Sequence, residues 1–355
     1  MTLTDERRSY QPFEYEEAHD FFVKQQQSHW IWTEFSMNSS VDDWEHKLTK
    51  EERNIIAGVL LGFTQAELCI GSYWGRKVPV WFPKPEIEAM CSTFAAWESI
   101  HAKSYNYLSE TLGLEEYDAF LQNPEAAAKL NNLLSCPNGT LQERALSLAV
   151  YSAFGEGVSL YSSFAILLYF SARGLIKEIK STKDYSEITE KYGFKGNQLE
   201  MPKENLLKGV GEIIAYSIRD EHLHSSAGCW LFRQLLAEYP ELNNKDLHDK
   251  LYEAARTVVA LEADFIDMVF DNHRLPGLNA DNVKAFIERR ANQKLEELNL
   301  KPIFTPDVDK AKEIESWFYL MTAGESSTDF FAARVSNYAK GKFNVDNIKW
   351  DAVFA

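Results

Sequence analysis

The segment "AAWESIHAKSYNYL", Ala95 to Leu108, places an acid, a base and a phenol at Glu98, His101 and Tyr105 within a mainly apolar stretch. On a helix, positions i, i+3 and i+7 share one face. Phe94, Trp97 and Ile100 predict that this helix is largely buried. A carboxylate and an imidazole are costly to bury unless they are paired or bind metal. One Glu-x-x-His spacing proves little, since about one is expected by chance in a chain with this histidine and glutamate content. Glu16 and His19 form such a pair in the polar N-terminal segment and are set aside.

A second pair changes the weight of the first. "GEIIAYSIRDEHLHSSAGCWLF" repeats the spacing at Glu221 and His224. Dinuclear carboxylate bundles use two Glu-x-x-His helices and one further glutamate from each of two other helices. Two lone acids in apolar helical sequence meet that requirement. Glu67 lies in "LLGFTQAELCIGSYW", and Glu156 is the only acid in "LAVYSAFGEGVSLYSSFAILLYF". The candidate ligand set is Glu67, Glu98, His101, Glu156, Glu221 and His224. Oxygen and imidazole donors of this kind suit iron or manganese better than a soft metal. A single buried glutamate or histidine is more often a hydrogen-bonded core residue. The complete four-helix pattern is what outweighs that reading. His29, His46, His222, His248 and His273 are read as surface or core residues.

The rest of the chain supports an all-α protein. Apolar residues recur at helical spacing over roughly 51–75, 86–112, 141–174, 206–237, 245–272 and 280–298, and strand signals are scarce. "LTKEER", Thr140 before "LQERAL" and Asn279 before "ADNVKAF" read as helix starts. "KVPVWFPKPE", "SCPNGT", "AEYPELNN" and "HRLPGLN" read as breaks. Residues 176–205 are polar and poorly periodic and read as an insertion. Residues 323–355 lack a helical repeat and read as a mobile tail whose Trp350, Val353 and Phe354 call for a partner. The 355 residues suffice for a large core, and no linker divides residues 1–322. A net charge of −16 disfavours binding to nucleic acid or anionic membranes. Cys69, Cys91, Cys136 and Cys229 have no paired spacing, as expected of free thiols in a reducing compartment. The polar N-terminus shows no secretory signal, and no run of eighteen apolar residues marks a membrane span. A cytoplasmic protein is the expectation.

"WESIHAKSY", "RDEHLH" and "TDFFAARVSNY" together resemble the small, radical-generating subunit of class I ribonucleotide reductase. The resemblance runs from about Trp32 to Tyr338. It implies a ferritin-like helical bundle with a dinuclear metal-carboxylate site, acting as a homodimer. Glu67, Glu98 and His101 would hold one metal or bridge from it, and Glu156, Glu221 and His224 the other. Tyr105 stands where the family's tyrosyl radical forms. Asp220 matches the acid that joins a ligand histidine, here His101, to a tryptophan. Trp32 is the expected tryptophan, with Trp30 as its competitor. Tyr338 matches the tail tyrosine that relays the radical, and the tail would dock on a large catalytic subunit through Trp350 and Phe354. The chain has neither a cysteine pair nor a phosphate-binding glycine loop, so it should not reduce nucleotides alone.

Three departures from the family pattern bear on the metal. Glu67 replaces the aspartate of iron-tyrosyl members and matches subclasses with manganese–iron or dimanganese centres. Leu160 replaces a phenylalanine beside the radical site, and Ser217 replaces an apolar residue near Tyr105. The 176–205 insertion is longer than the usual link. Two iron ions are the first expectation, with manganese–iron and dimanganese as alternatives. Two other functions share these ligands. A ferritin-like oxidase or monooxygenase would act on its own substrate and would not need the Trp32, Asp220 and Tyr338 set. An iron store or helical scaffold would be non-catalytic.

Overall fold

Three helix starts that are visible in the sequence open helices of the computed structural model. The structure describes residues 2–114, 123–134, 139–181 and 205–322. The Thr49 hydroxyl accepts from the Glu52 amide at 3.2 Å, and the Glu52 carboxylate accepts from the Thr49 amide at 2.9 Å. This reciprocal cap satisfies two amide donors that a helix N-terminus otherwise leaves unpaired. Thr140 with Glu143 and Asn279 with Asn282 repeat it.

The helices, in chain order, are α1 (Glu16–Gln27), α2 (Asn38–His46), α3 (Lys50–Arg76), α4 (Val78–Trp81), α5 (Pro85–Thr111) and α6 (Pro124–Leu134). Then α7 (Leu141–Leu148) runs through a π-helical stretch, Ala149–Ser159, into α8 (Tyr161–Ser181). They are followed by α9 (Lys208–Glu238), α10 (Lys245–Phe270), α11 (Ala280–Glu297) and α12 (Val308–Met321). Among the described residues there is no strand, only an isolated bridge between Leu275 and Leu278. The all-α expectation is borne out.

α3 lies along α5, and the π-helical stretch and α8 lie along α9. α3, α5, the π-helical stretch and α9 surround the candidate ligands. α10 and α11 pack on the outer side of the π-helical stretch, α12 packs on α8 and α11, and α1 lies across α5 and α9. Leu141–Ser181 is long and apolar enough to cross a membrane, but its apolar window is wholly buried inside the protein. Its apolarity is that of a central core helix carrying Glu156.

The sequence reading differs from the structure in two places. α8 continues to Ser181, six residues into the expected insertion. Ile176 is buried and Ile179 packs on the core, so the apolar stripe outlasts the polar composition. Residues 182–204 of the insertion, and the tail from 323, lie outside the described residues. The reading also missed α1, α2, α6 and α12, and the short α4 inside the expected break "KVPVWFPKPE". α1, "EEAHDFFVKQQQ", is too polar to show a stripe, although Phe21 and Phe22 pack on the core.

α9 and the π-helical stretch are in close contact at Gly228. A Cβ placed there would come 2.1 Å from Ser152 Cβ and 2.0 Å from its Oγ. Gly228→Ala is therefore expected to destabilise the protein by about 1–3 kcal/mol through overpacking. Chemical denaturation would measure this, and an unchanged midpoint would refute the close contact.

Candidate metal centre

Glu98 and His101 sit one turn apart on α5, and Glu221 and His224 likewise on α9. α3 contributes Glu67, and the π-helical stretch contributes Glu156. All six side chains are at most 1% exposed. They form two overlapping groups, Glu67–Glu98–His101–Glu221 and Glu98–Glu156–Glu221–His224. Within each group the candidate ligand atoms lie within 4.8 Å of one another. Glu98 and Glu221 belong to both. Glu98 lies between the two imidazoles, with Oε1 2.7 Å from His224 Nδ1 and Oε2 3.4 Å from His101 Nδ1. Glu221 Oε1 lies 2.9 Å from His101 Nδ1. The structure thus brings together all six sequence-predicted ligands and places Glu98 and Glu221 as the shared carboxylates.

The outer sides of the two imidazoles are occupied. His101 Nε2 faces Asp220 Oδ2 at 3.3 Å, and His224 Nε2 faces Gln25 Oε1 at 3.0 Å. Each Nε2 is then the protonated nitrogen, and each Nδ1 presents its lone pair inward. This is how an outer hydrogen bond fixes a metal-binding imidazole. Gln25 also donates to Asp220 Oδ1 at 3.0 Å, so one amide ties the two histidines together. Gln25 was invisible in the sequence, where it is one of three consecutive glutamines in a polar helix.

The inner atoms show the opposite pattern. Both oxygens of Glu67, Glu98 and Glu221, Oε2 of Glu156, and Nδ1 of both histidines are buried without an aligned hydrogen bond. Buried polar atoms are normally satisfied, and these nine all belong to the six candidate ligands. Trp74 Nε1 donates to the remaining Glu156 oxygen. Four carboxylates and two neutral imidazoles carry a charge that two divalent cations cancel. The residues therefore fit a dinuclear site of hard or borderline ions.

The electrostatics of the metal-free site express the same need. Burial, and then the Glu221 and Glu98 charges, push Glu67 well above the usual carboxylate range. Burial and the same neighbours raise Glu156. Glu221 is pushed up to about 7 by burial and by Glu98. Burial acts upward on Glu98 too, but His224 and His101 hold it below the usual range. Burial opposes a charged His101, yet the nearby carboxylates of Asp220, Glu221 and Glu98 raise it well above an ordinary imidazole.

Asp220 holds the outer network. Burial acts upward on it, but Arg219 and His101 keep it below its usual value. It accepts from Trp30 Nε1 at 2.6 Å and from Arg219 Nε at 3.2 Å. The indole on Asp220 is thus Trp30, and the expectation of Trp32 is corrected. Trp30 is fully buried and stacks on His101 with ring centres 5.9 Å apart. The backbone is extended at Ile31, and Trp32 then opens a single 3-10 turn, where it stays half-buried. Two tryptophans two residues apart could not be ranked from sequence.

Tyr105 is fully buried, with its ring centre 6.4 Å from that of His101. Burial, then the Glu67 and Glu221 charges, raise its phenol well above the ordinary value, while Ser217 acts in the opposite direction. Phe63 stacks on Tyr105 at 4.6 Å and packs on Phe164 at 5.0 Å. Aromatic lining of Tyr105 is thus supplied from α3. Tyr338, Trp350 and Phe354 lie outside the described residues.

The family model described as ribonucleotide reductase, small chain, matches residues 7–187 and 198–312. The chain belongs to the ribonucleotide reductase small-chain family. A probable ribonucleoside-diphosphate reductase small subunit of Invertebrate iridescent virus 3 is 28% identical, spanning 98% of this chain and 88% of the viral protein. The ribonucleoside-diphosphate reductase subunit beta of Chlamydia pneumoniae is 22% identical over 96% of this chain and 91% of its own length. Among solved structures, dimanganese(II)-NrdF of Streptococcus sanguinis superposes with a TM-score of 0.70 at 22% identity, covering 88% of this chain and 99% of that one. The R2 subunit of Clostridium botulinum gives 0.72 at 18% identity, covering 89% and 91%. At these identities the two structures establish the ferritin-like fold of this small chain. As a member of the family it works within ribonucleoside-diphosphate reductase, together with a large subunit.

The raised acids set a pH dependence for the metal-free small chain. Glu67, Glu156 and Glu221 keep protons in the folded protein at pH values where the unfolded chain has lost them. Their contribution is complete below the ordinary carboxylate value and is lost as pH rises through the folded values, about 7 for Glu221. His101 acts in the same direction above the ordinary imidazole value. The melting temperature of metal-free protein is expected to fall from about pH 5 to pH 7, and divalent metal should flatten that slope. A metal-free melting temperature that rises over this window would refute the assignment.

Proposed function

We propose that the six ligands hold two metal ions, and that the loaded chain generates the radical with which a large subunit makes deoxyribonucleotides. One observation carries this reading: both imidazoles turn Nδ1 into a group of four buried carboxylates while Asp220 and Gln25 hold Nε2. When bound, the metal pair supplies oxidising power drawn from oxygen or a reduced oxygen species. The side chains direct where it goes. Tyr105 enters as a neutral phenol, since burial and the neighbouring acids oppose its ionisation. It must therefore lose its proton together with its electron, and Glu67 is the acid whose charge it feels most.

The route outward runs from His101 through Asp220 to Trp30. Asp220 Oδ2 faces both the indole N–H and His101 Nε2, so one carboxylate oxygen can hold a proton released by either. Tyr338, in the 323–355 tail, would continue the relay to the large subunit, with Trp350 and Phe354 as docking anchors. A homodimer in the cytoplasm completes the reading. Two iron ions are the first assignment. Glu67 keeps manganese–iron and dimanganese centres as alternatives, because iron and manganese accept the same oxygen and nitrogen donors. An oxidase acting on its own substrate would share the ligands, but family membership favours the reductase.

Loading with ferrous iron alone and exposure to oxygen is expected to give a narrow organic-radical signal in electron paramagnetic resonance, absent in Tyr105→Phe. A silent spectrum, with turnover restored only by manganese, would instead assign a manganese centre and leave Tyr105 a supporting role. Trp30→Phe is expected to lower turnover with the large subunit about a hundredfold, the scale of a lost proton-transfer partner. Trp32→Phe should leave turnover near wild type, and the reverse ranking would reject Trp30 as the relay. Tyr338→Phe should abolish turnover while sparing the Tyr105 signal, and retained turnover would remove Tyr338 from the relay.

A further inference from the structure

Two cations are buried on the outer side of the Glu156 segment. Arg290 and Lys294 lie one turn apart on α11 and are 4% and 1% exposed. The Arg290 guanidinium lies over the Tyr161 ring, 3.5 Å from its centre. It donates to the Gly157 carbonyl from Nε at 3.4 Å and from Nη2 at 3.2 Å. The Lys294 stem fills the space where a side chain at Gly157 would lie. A Cβ there would come 2.6 Å from Lys294 Cε, 2.9 Å from its Cδ and 2.6 Å from Ser225 Oγ. Lys294 Nζ ends on Glu297, at 3.0 and 2.9 Å from its two oxygens. Apolar side chains would fill this volume with less desolvation cost. What the cations add is a grip on one particular stretch of backbone.

That backbone is the π-helical stretch, and Gly157 follows Glu156 directly. A π-helical turn carries an extra residue relative to an α-helix and is rarely stable alone. A slip of one residue back toward α-helical register would swing each side chain by about 100°. Glu156 would then leave the cluster. Arg290 fixes the carbonyl beside it, and Lys294 occupies the notch that only glycine leaves open.

We infer that Arg290 and Lys294 are positioning residues for the dinuclear site: they lock the register of Ala149–Ser159 at Gly157 and so hold Glu156 at the second metal position. The inference rests on the two-metal reading above. It assigns a function to a pair of buried cations that are not among the six candidate ligands. The Glu156 position is thereby separable from the Glu67 position, which lies on α3.

The test is a cobalt(II) titration of the full-length, metal-free protein, followed by visible absorption and calorimetry. Wild type should take two ions per chain, and the step lost in Glu156→Ala identifies the second position. Arg290→Met keeps the stem on Tyr161 and removes both donors. It is expected to weaken that step alone, by about tenfold or more, the scale of a lost orienting partner. Arg290→Lys should recover part of the loss. Lys294→Met keeps the stem in the notch and should weaken the same step less. Unchanged binding in Arg290→Met, or equal weakening of both steps, would overturn the inference and leave the two-metal reading intact. A wild type that binds fewer than two ions would overturn that reading, and the inference with it. Melting curves of the metal-free variants report any general loss of fold, which by itself would not split the two steps. If Arg290→Met does not fold, Lys294→Met decides by the same criterion.

Discussion

Four carboxylates in the dry centre of a helical bundle are the constraint on which the rest of this structure depends. Each ionised carboxylate taken out of water costs several kcal/mol even after relaxation. Hydrogen bonding cannot offset that here, because seven of the eight carboxylate oxygens lack an aligned donor. Without metal the cluster answers by retaining protons, which is why Glu67, Glu156 and Glu221 are raised together. Two divalent ions, as proposed, would make the same oxygens ligands and cancel the charge. The bundle is thus built around a charge it does not itself contain.

The outer layer converts that cluster into a directed site. Asp220 and Gln25 determine which imidazole nitrogen faces inward, and Gln25 spans the two histidines so that neither can rotate independently. Asp220 remains ionised because Arg219 and His101 are beside it. Being ionised, it also accepts the Trp30 N–H. Orientation of the ligands and connection to Trp30 are therefore one hydrogen-bond network. A change at Asp220 would disturb both, so it cannot isolate the proposed relay from the proposed metal site. Trp30 itself can.

The fold and the inner cluster were legible for a physical reason. Acids and histidines at helical spacing in apolar sequence violate the usual rule of burial, and a violation repeated on four helices has few explanations. The outer layer had no such signature. Gln25 sits in a polar helix whose composition resembles any solvated surface. Trp74 and Phe63 are apolar residues among apolar residues, although one bonds Glu156 and the other stacks on Tyr105. Trp30 and Trp32 were indistinguishable until the backbone between them was known. Nor does the sequence show that Phe63, on another helix, stacks on Tyr105.

The π-helical stretch was the least legible element and has the largest geometric consequence. Ala149–Ser159 is buried throughout, with Glu156 as its one charged residue, so its periodicity reads as ordinary helix. Nothing local demands an extra residue per turn. The demand comes from neighbours distant in sequence: Ser152 against Gly228, Gly157 against Ser225 and Lys294, and Arg290 on the Gly157 carbonyl. α9 presses on one side and α11 grips the other, and the wide turn is the backbone that fits between them. Its lone acid faces the other ligands because the packing of three helices leaves it no other register. Propensity determines that this segment is helical, and tertiary packing determines which kind of helix it is.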